Sequence, residues 1–295
     1  MSTPAPRRVL LATCSELPDG EEWAGTSLLP AAFADRQIDA SWVVWDDPSV
    51  DWSSGLVAVR STWDYETRRE EFLDWARAVP WMLNSAAVFT WNTDKSYLAE
   101  LATEGVPVVP TVVVRHRDEL AGAVAEVSGH PERLSAVVKP TVGAGGRGVV
   151  VLDGPNDLVG SGHDCGFGPG PWVVQPLVEA VRTEGETSVF VFDGEVVSQA
   201  QKRPAAGEIR VHEAYGGTTV AVPVSGEAAE LARRTVEGAG VLLGEGLDYA
   251  RVDQMRLADG TLAVSELEVT EPGLYLEVLP GNAGAFADLV AARLG

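Results

Sequence analysis

Residues 136–153 run Ala136-Val137-Val138-Lys139-Pro140-Thr141-Val142, then Gly143-Ala144-Gly145-Gly146-Arg147-Gly148, then Val149-Val150-Val151-Leu152-Asp153. The glycine hexapeptide fits G-x-G-x-x-G. In a dinucleotide-binding domain that pattern must open a helix, whose N-terminus meets the pyrophosphate. Here an apolar, β-branched run follows, so the loop joins two strands as a flap. Such a flap closes over phosphates by offering backbone N–H groups with no side chain in the way. A plain hairpin turn is the other reading, and it needs two glycines rather than four. No Gly-Lys-Ser/Thr ends the loop, which excludes a Walker loop. His116-Arg117-Asp118 imitates a protein-kinase catalytic loop, but it precedes the glycines, and neither the later Asn nor an Asp-Phe-Gly is present.

Upstream, residues 1–90 alternate strands (Val9–Cys14, Ser41–Trp45, Leu56–Arg60) with helices (about 26–36 and 65–79), which predicts a parallel sheet. A second unit starts near Asn92 with a helix that Lys95 opens and that runs to Glu104, before Gly105 and Pro107. Strands follow at Val108–Val114, Ala136–Lys139, Val149–Leu152 and Trp172–Leu177, with a Gly/Pro-rich loop over 160–171. The last third reads as strands Thr187–Phe192 and Val196–Gln201, a helix over about 226–239, strands over 249–257 and 261–269, and a helix over about 283–293. The fold class is α/β.

The net charge of −21, from 22 basic and 43 acidic residues, argues against nucleic acid or an anionic membrane as partner, while leaving room for a nucleotide in a locally basic cleft. Only three of the basic residues are lysines, Lys95, Lys139 and Lys202. Arginine serves elsewhere, so these three mark places where a compact point charge is wanted. Cys14 and Cys165 form no disulfide framework or zinc pattern, and His116, His130, His163 and His212 have no metal-ligand spacing. No stretch reads as a secretory signal or a membrane span, so a cytoplasmic setting is expected.

The densest chemistry lies in Arg251-Val252-Asp253-Gln254-Met255-Arg256-Leu257 and Leu262-Ala263-Val264-Ser265-Glu266-Leu267-Glu268, joined by Ala258-Asp259-Gly260-Thr261. Asp-Gly signals a two-residue hairpin loop. Counting outward from Asp259-Gly260 sets Asp253 opposite Glu266 and Arg251 opposite Glu268, all on one face. Like charges across a sheet cost roughly 0.2–1 kcal/mol, so three carboxylates at one spot call for a hard cation, Mg²⁺ where phosphates are also bound. A solvated acidic strand face is the alternative. Val252, Leu267 and Val269 give the other face an apolar pattern, which favours the metal.

Lys95, Lys139 before a glycine flap, and a hairpin with Asp253, Glu266 and Glu268 together resemble the ATP-grasp superfamily over residues 90–295. The glutathione-synthetase-like carboxylate–amine ligases are the most similar branch. The resemblance implies an N-terminal substrate domain (1–90) and two α+β subdomains gripping ATP. The central one (91–178) carries the flap, and the C-terminal one (179–295) carries the magnesium site. It implies Lys95, Lys139 and the flap glycines Gly143, Gly145, Gly146 and Gly148 on the phosphates. Gln175, Leu177 and Val178 match the adenine hinge, and Glu186 matches the ribose acid. Lys202, Arg203 and Arg210 match the basic segment facing the transferred phosphate, with Gly216 and Gly217 by the substrate. Asp253, Glu266 and Glu268 would hold Mg²⁺, two ions in the family pattern, with Glu268 replacing the usual Asn.

Arg60-Ser61-Thr62-Trp63-Asp64-Tyr65 lies at the C-terminal end of a predicted strand, where open α/β sheets bind ligands. Arg60 would hold a substrate carboxylate, with Thr62, Trp63 and Asp64 around it; a capped helix start with a packed Trp is the other reading. With the Asn92-Thr93-Asp94-Lys95 run, this segment resembles a group of actinobacterial ATP-grasp proteins that includes the O-ureido-serine cyclo-ligase of cycloserine biosynthesis. The expected function is therefore an ADP-forming ligase that activates a small carboxylate as an acyl phosphate, for amide formation or ring closure. A small-molecule kinase or a non-catalytic nucleotide-binding protein is the alternative. The expected partners are amino-acid-like small molecules and a second copy of the chain in a homodimer.

Overall fold

The computed structural model describes residues 7–20, 28–128, 135–152 and 169–295. The expected loop over 160–171 lies mostly outside them, as do Cys165, His130, His163 and the first two residues of the helix expected over 26–36.

The chain opens with a parallel sheet in the order β2-β1-β3, built from β1 (Arg8–Thr13), β2 (Asp39–Val44) and β3 (Leu56–Ser61), with helix α1 (Leu28–Asp35) crossing between the first two. All of β3 is buried, as a parallel strand covered on both faces must be. Leu10, Ala12, Val57 and Val59 enter one core cluster, and Val9, Leu11, Leu56 and Ala58 enter another. A short 3₁₀ turn, Tyr65–Thr67, precedes α2 (Arg69–Ala78), because Arg68 breaks the helical dihedrals at φ −135°.

The helix expected from Asn92 to Glu104 is two helices. In α3 (Ala86–Asn92) Asn92 is the last residue, and α4 starts only at Tyr97 (Tyr97–Thr103). The intervening turn is set by Asp94, whose carboxylate accepts from the Ser96 N–H at 3.0 Å and hydroxyl at 2.6 Å, a local bond that competes with helix.

A four-stranded antiparallel sheet of order β4-β7-β5-β6 follows: β4 (Val112–Val114), β5 (Ala136–Pro140), β6 (Val150–Leu152) and β7 (Trp172–Pro176), with α5 (Leu120–Ser128) packed on it. The flap joins paired strands β5 and β6. The last sheet has order β10-β9-β8-β11-β12, from β8 (Glu186–Phe192), β9 (Glu195–Arg203), β10 (Thr218–Val222), β11 (Tyr249–Arg256) and β12 (Leu262–Glu268). Helix α6 (Gly226–Leu243) starts at Ser225, whose hydroxyl accepts from the Ala228 N–H. Helix α7 (Gly281–Leu294) ends the chain.

The β12 edge is covered rather than left open. Asn92 donates to the Leu267 carbonyl at 2.7 Å and accepts from the Val269 N–H at 3.1 Å. Tyr97 accepts from the Leu267 N–H. Val109 and Pro107 bond to Val264, so the expected strand Val108–Val114 splits between two sheets.

Among the described residues, no helix is long and apolar enough to cross a membrane.

Candidate active site

Strand alternation assembles the site. Glu186 and Ser188 on β8, Lys202 on β9, Arg251 and Asp253 on β11, and Glu266 and Glu268 on β12 are linked by pairings Glu186↔Lys202, Asp253↔Ser188, Asp253↔Glu266 and Arg251↔Glu268. Further along the same face, Phe190, Phe192 and Tyr249 are core. The opposite face carries Val189, Val252, Leu267 and Val269, buried in the other cluster. One sheet face is thus apolar at one end and charged at the other.

Asp253, Glu266 and Glu268 each offer an oxygen within 4.8 Å of the others, a set that could hold a metal ion. Three carboxylate oxygens so spaced fit a hard cation that keeps water and phosphate ligands. Cations of the chain surround them. Asp253 accepts from Lys202 Nζ at 3.0 Å, from Arg251 Nη2 at 3.0 Å and from the Ser188 hydroxyl at 2.5 Å. Arg251 also binds Glu268, and Lys202 also binds Glu186. Burial opposes ionisation of Asp253, but Arg251 and Lys202 outweigh it and hold its carboxyl well below the usual range. Glu268 is pushed up to about 7, by burial first and then by the Glu266 and Asp253 charges, against Arg251.

Lys95 and Lys139 face this cluster from the other side. The Lys95 N–H bonds the Thr141 carbonyl at 2.8 Å, which fixes the turn against the flap's base. Its Nζ then reaches Glu266 at 3.0 Å and the Gly143 carbonyl at 2.7 Å. Lys139, near the end of β5, has its ammonium pushed down by burial, with Lys95 adding to the effect and Glu266 opposing it. A lysine strained in this way favours the arrival of an anion.

The flap is tied to the N-terminal sheet's loop. Glu66 accepts from the Ala144 N–H at 2.7 Å and pairs with Arg147. Gly146 faces the Arg210 side chain, whose guanidinium lies 3.6 Å from the Tyr215 ring centroid.

Several sequence expectations change. Arg60 is fully buried, its guanidinium 4.8 Å from the Phe286 ring centroid and bonded to the Pro272 carbonyl. Strand parity sends it to the core face, so it ties β3 to the C-terminal segment and does not face a substrate. Asp64 accepts from Trp45 Nε1 at 3.0 Å and pairs with Arg68, a structural role. Trp63 stays partly exposed, and Thr62 is buried with a hydroxyl that has no hydrogen-bond partner among the described residues. Arg203 is exposed, because alternation along β9 turns it away from Lys202. Gln175 is buried and bonds the Thr111 hydroxyl at 2.9 Å. Gly216 and Gly217 close the 3₁₀ turn Glu213–Tyr215, where any side chain at Gly217 would meet the Val211 carbonyl. Lys202 sits between Asp253 and Glu186. Sequence reading missed Ser188, Ser265, Glu66, Glu271 and Tyr275, whose ring centroid lies 5.0 Å from the Arg251 guanidinium. Ser188 was available from its parity with Glu186; the other contacts join distant segments and leave no local signal.

Comparison with known proteins shows the family. Residues 100–279 match the family of the prokaryotic glutathione synthetase ATP-grasp domain, and residues 9–86 match the N-terminal domain of D-cycloserine synthetase DcsG. The chain belongs to the ATP-grasp ligases of this glutathione-synthetase type. It is 34% identical over 275 residues to the cycloserine biosynthesis protein DcsG of Streptomyces lavendulae, covering 87% of this chain and 89% of that one. Against the glutathione synthetase of Prochlorococcus marinus strain MIT 9313 the figures are 31% over 216 residues, 71% of this chain and 62% of that one. The crystal structure of D-cycloserine synthetase DcsG superposes with a TM-score of 0.81 at 29% identity, over 98% of this chain and all of that one. The ATP-grasp ligase PsnB, solved with a phosphomimetic precursor variant, Mg and ADP, shares the fold at a TM-score of 0.66 and 17% identity, over 99% of each chain. The chain is an ATP-dependent ligase.

Proposed function

We propose that the chain activates the carboxylate of a small amino acid as an acyl phosphate and closes a ring by attack of the same molecule's nitrogen. The observation that carries the reading is the three-carboxylate cluster facing Lys95 and Lys139 under a glycine flap. Both parts of the chain match the cycloserine protein, which supports a cyclising role in antibiotic biosynthesis.

The substrate carboxylate attacks the γ-phosphorus of ATP, giving acyl phosphate and ADP. The nitrogen then attacks the acyl carbon and displaces phosphate, losing a proton. Neither step needs an enzyme nucleophile; catalysis rests on alignment and charge neutralisation. Lys95, Lys139 and flap backbone N–H groups would hold the ATP phosphates. Leu177 and Val178 would border the adenine, and Glu186 would take the ribose once Lys202 turns to the acyl phosphate beside Arg210. Asp253, Glu266 and Glu268 would hold two magnesium ions, which supply positive charge to the phosphates. The net charge of −21 suits small molecules, not nucleic acid.

The test is ADP release with Mg·ATP and O-ureido-serine, with mass spectrometry of the product. A cyclised product with one ADP per turnover is expected. A stable phosphorylated product, or no ADP release, contradicts the reading.

A further inference from the structure

Glu271 lies three residues beyond Glu268, under the turn that ends β3. It is 8% exposed. Trp63 Nε1 donates to its backbone carbonyl at 3.3 Å, and the buried Tyr65 hydroxyl is the hydrogen-bond partner of its side chain. The site's other acids each have a cation. Glu266 has Lys95, Glu186 and Asp253 share Lys202, and Glu268 has Arg251. Among the described residues Glu271 forms no ion pair. Lys95, whose charge it feels, is engaged by Glu266 and the Gly143 carbonyl. Nor does Glu271 join the group of converging oxygens formed by Asp253, Glu266 and Glu268.

A buried carboxyl without a cation keeps its proton, and such groups mark places where a ligand brings the charge that lets them ionise. A second observation is independent of it: on the same turn the buried Thr62 hydroxyl lacks a hydrogen-bond partner among the described residues. A buried acid without a cation and an unpartnered hydroxyl beside a partly exposed tryptophan, next to the proposed reaction centre, describe a small polar subsite. Glu266 and Glu268 add negative potential to it, so it suits a cation and repels a carboxylate.

We propose that Glu271, with Thr62, Trp63 and Tyr65 around it, binds the ammonium group of the amino-acid substrate. This inference rests on the ligase reading above and adds to it how the substrate is oriented. An ammonium has three donors. The Glu271 carboxylate and the Thr62 hydroxyl supply acceptors, while the Tyr65 hydroxyl keeps the carboxylate in place. Anchoring that end leaves the substrate's own carboxylate to point toward the lysines and arginines. A site built to bond an N–H group rejects an analogue lacking it, because its buried acceptors then go unpaired.

The experiment measures ADP release with Mg·ATP and O-ureido-serine, serine and alanine, each beside its 2-hydroxy counterpart, in the wild type and in Glu271→Gln. The readout is the ratio of kcat/KM between the ammonium-bearing and hydroxyl-bearing members of a pair. That ratio is independent of how much of a preparation is folded, and glutamine keeps the volume and a partner for Tyr65. The wild type is expected to favour the ammonium, and Glu271→Gln to reduce the ratio roughly 10- to 100-fold, the range for a hydrogen bond to a charged group. A ratio unchanged in Glu271→Gln, or a wild type indifferent to the ammonium, overturns this inference and leaves the ligase reading standing. No ADP release with any carboxylate overturns both.

Discussion

Lys139 is the residue whose environment most needs an anion. It is half-buried near Lys95, and its charge is disfavoured by desolvation first. Phosphate would relieve both effects. Lys139→Met is therefore expected to weaken ATP binding at least about tenfold, the scale of a lost charge-assisted hydrogen bond; calorimetric titration showing unchanged affinity would remove lysine and flap from the nucleotide site. The acids make a prediction of opposite sign. Glu268 and Glu271 keep their protons up to about 7 and about 8, with burial the largest cause, whereas the ordinary value is 4.5. Above that ordinary value the unfolded chain has lost protons that the folded chain retains, so stability falls as pH rises toward the folded values. Without magnesium, the wild type should lose more Tm between about pH 5 and about pH 8 than the E268Q/E271Q double variant does. An equal or smaller loss in the wild type contradicts the assignment.

At the scale of elements, the hairpin that carries Asp253, Glu266 and Glu268 shows how far counting can carry. The expected pairings Asp253↔Glu266 and Arg251↔Glu268 are present, but the turn is not the expected two-residue loop. Leu257 donates to the Thr261 carbonyl at 2.8 Å and Gly260 takes φ +88°, which makes a three-residue loop with glycine in the left-handed position. Gln254 then pairs with Val264, one place out of the counted register, until Ser265 bulges and restores it. Two departures cancel. The bulge aims Ser265 at Glu186, whose carboxylate it meets at 3.0 Å, as bulges next to active sites do. Spacing could show which residues share a face, since parity survives; it could not show a compensating loop and bulge. Gly185 holds the neighbouring strand. A Cβ there would sit 1.9 Å from the Lys202 carbonyl oxygen, at φ +85°. Gly185→Ala is expected to cost more than about 1 kcal/mol in urea unfolding and to lower kcat by shifting Lys202. A variant with wild-type stability would show that this approach is not tight.

Across the whole molecule, the N-terminal sheet and the C-terminal segment are one packed body. Phe286 of α7 shares a core cluster with Val9 and Leu11 of the first sheet, Phe33 of α1, and Phe192 and Tyr249 of the last sheet. Arg60 spans the same junction beneath Phe286. The alternating N-terminal strands, the flap between strands, and the carboxylate and lysine positions could all be read from local pattern, because periodicity and charge are local. The roles of Arg60, Asp64, Glu66 and Glu271 could not, because each depends on a segment distant in the chain. What unites the assembly is the three-carboxylate cluster, with Lys95 on its Glu266 at 3.0 Å. The most direct test is Glu266→Gln, assayed for ADP release with O-ureido-serine at saturating Mg·ATP, with a thermal midpoint to confirm folding. Loss of turnover by at least about 100-fold in a folded protein is expected; full ATP-dependent activity in that variant contradicts the account.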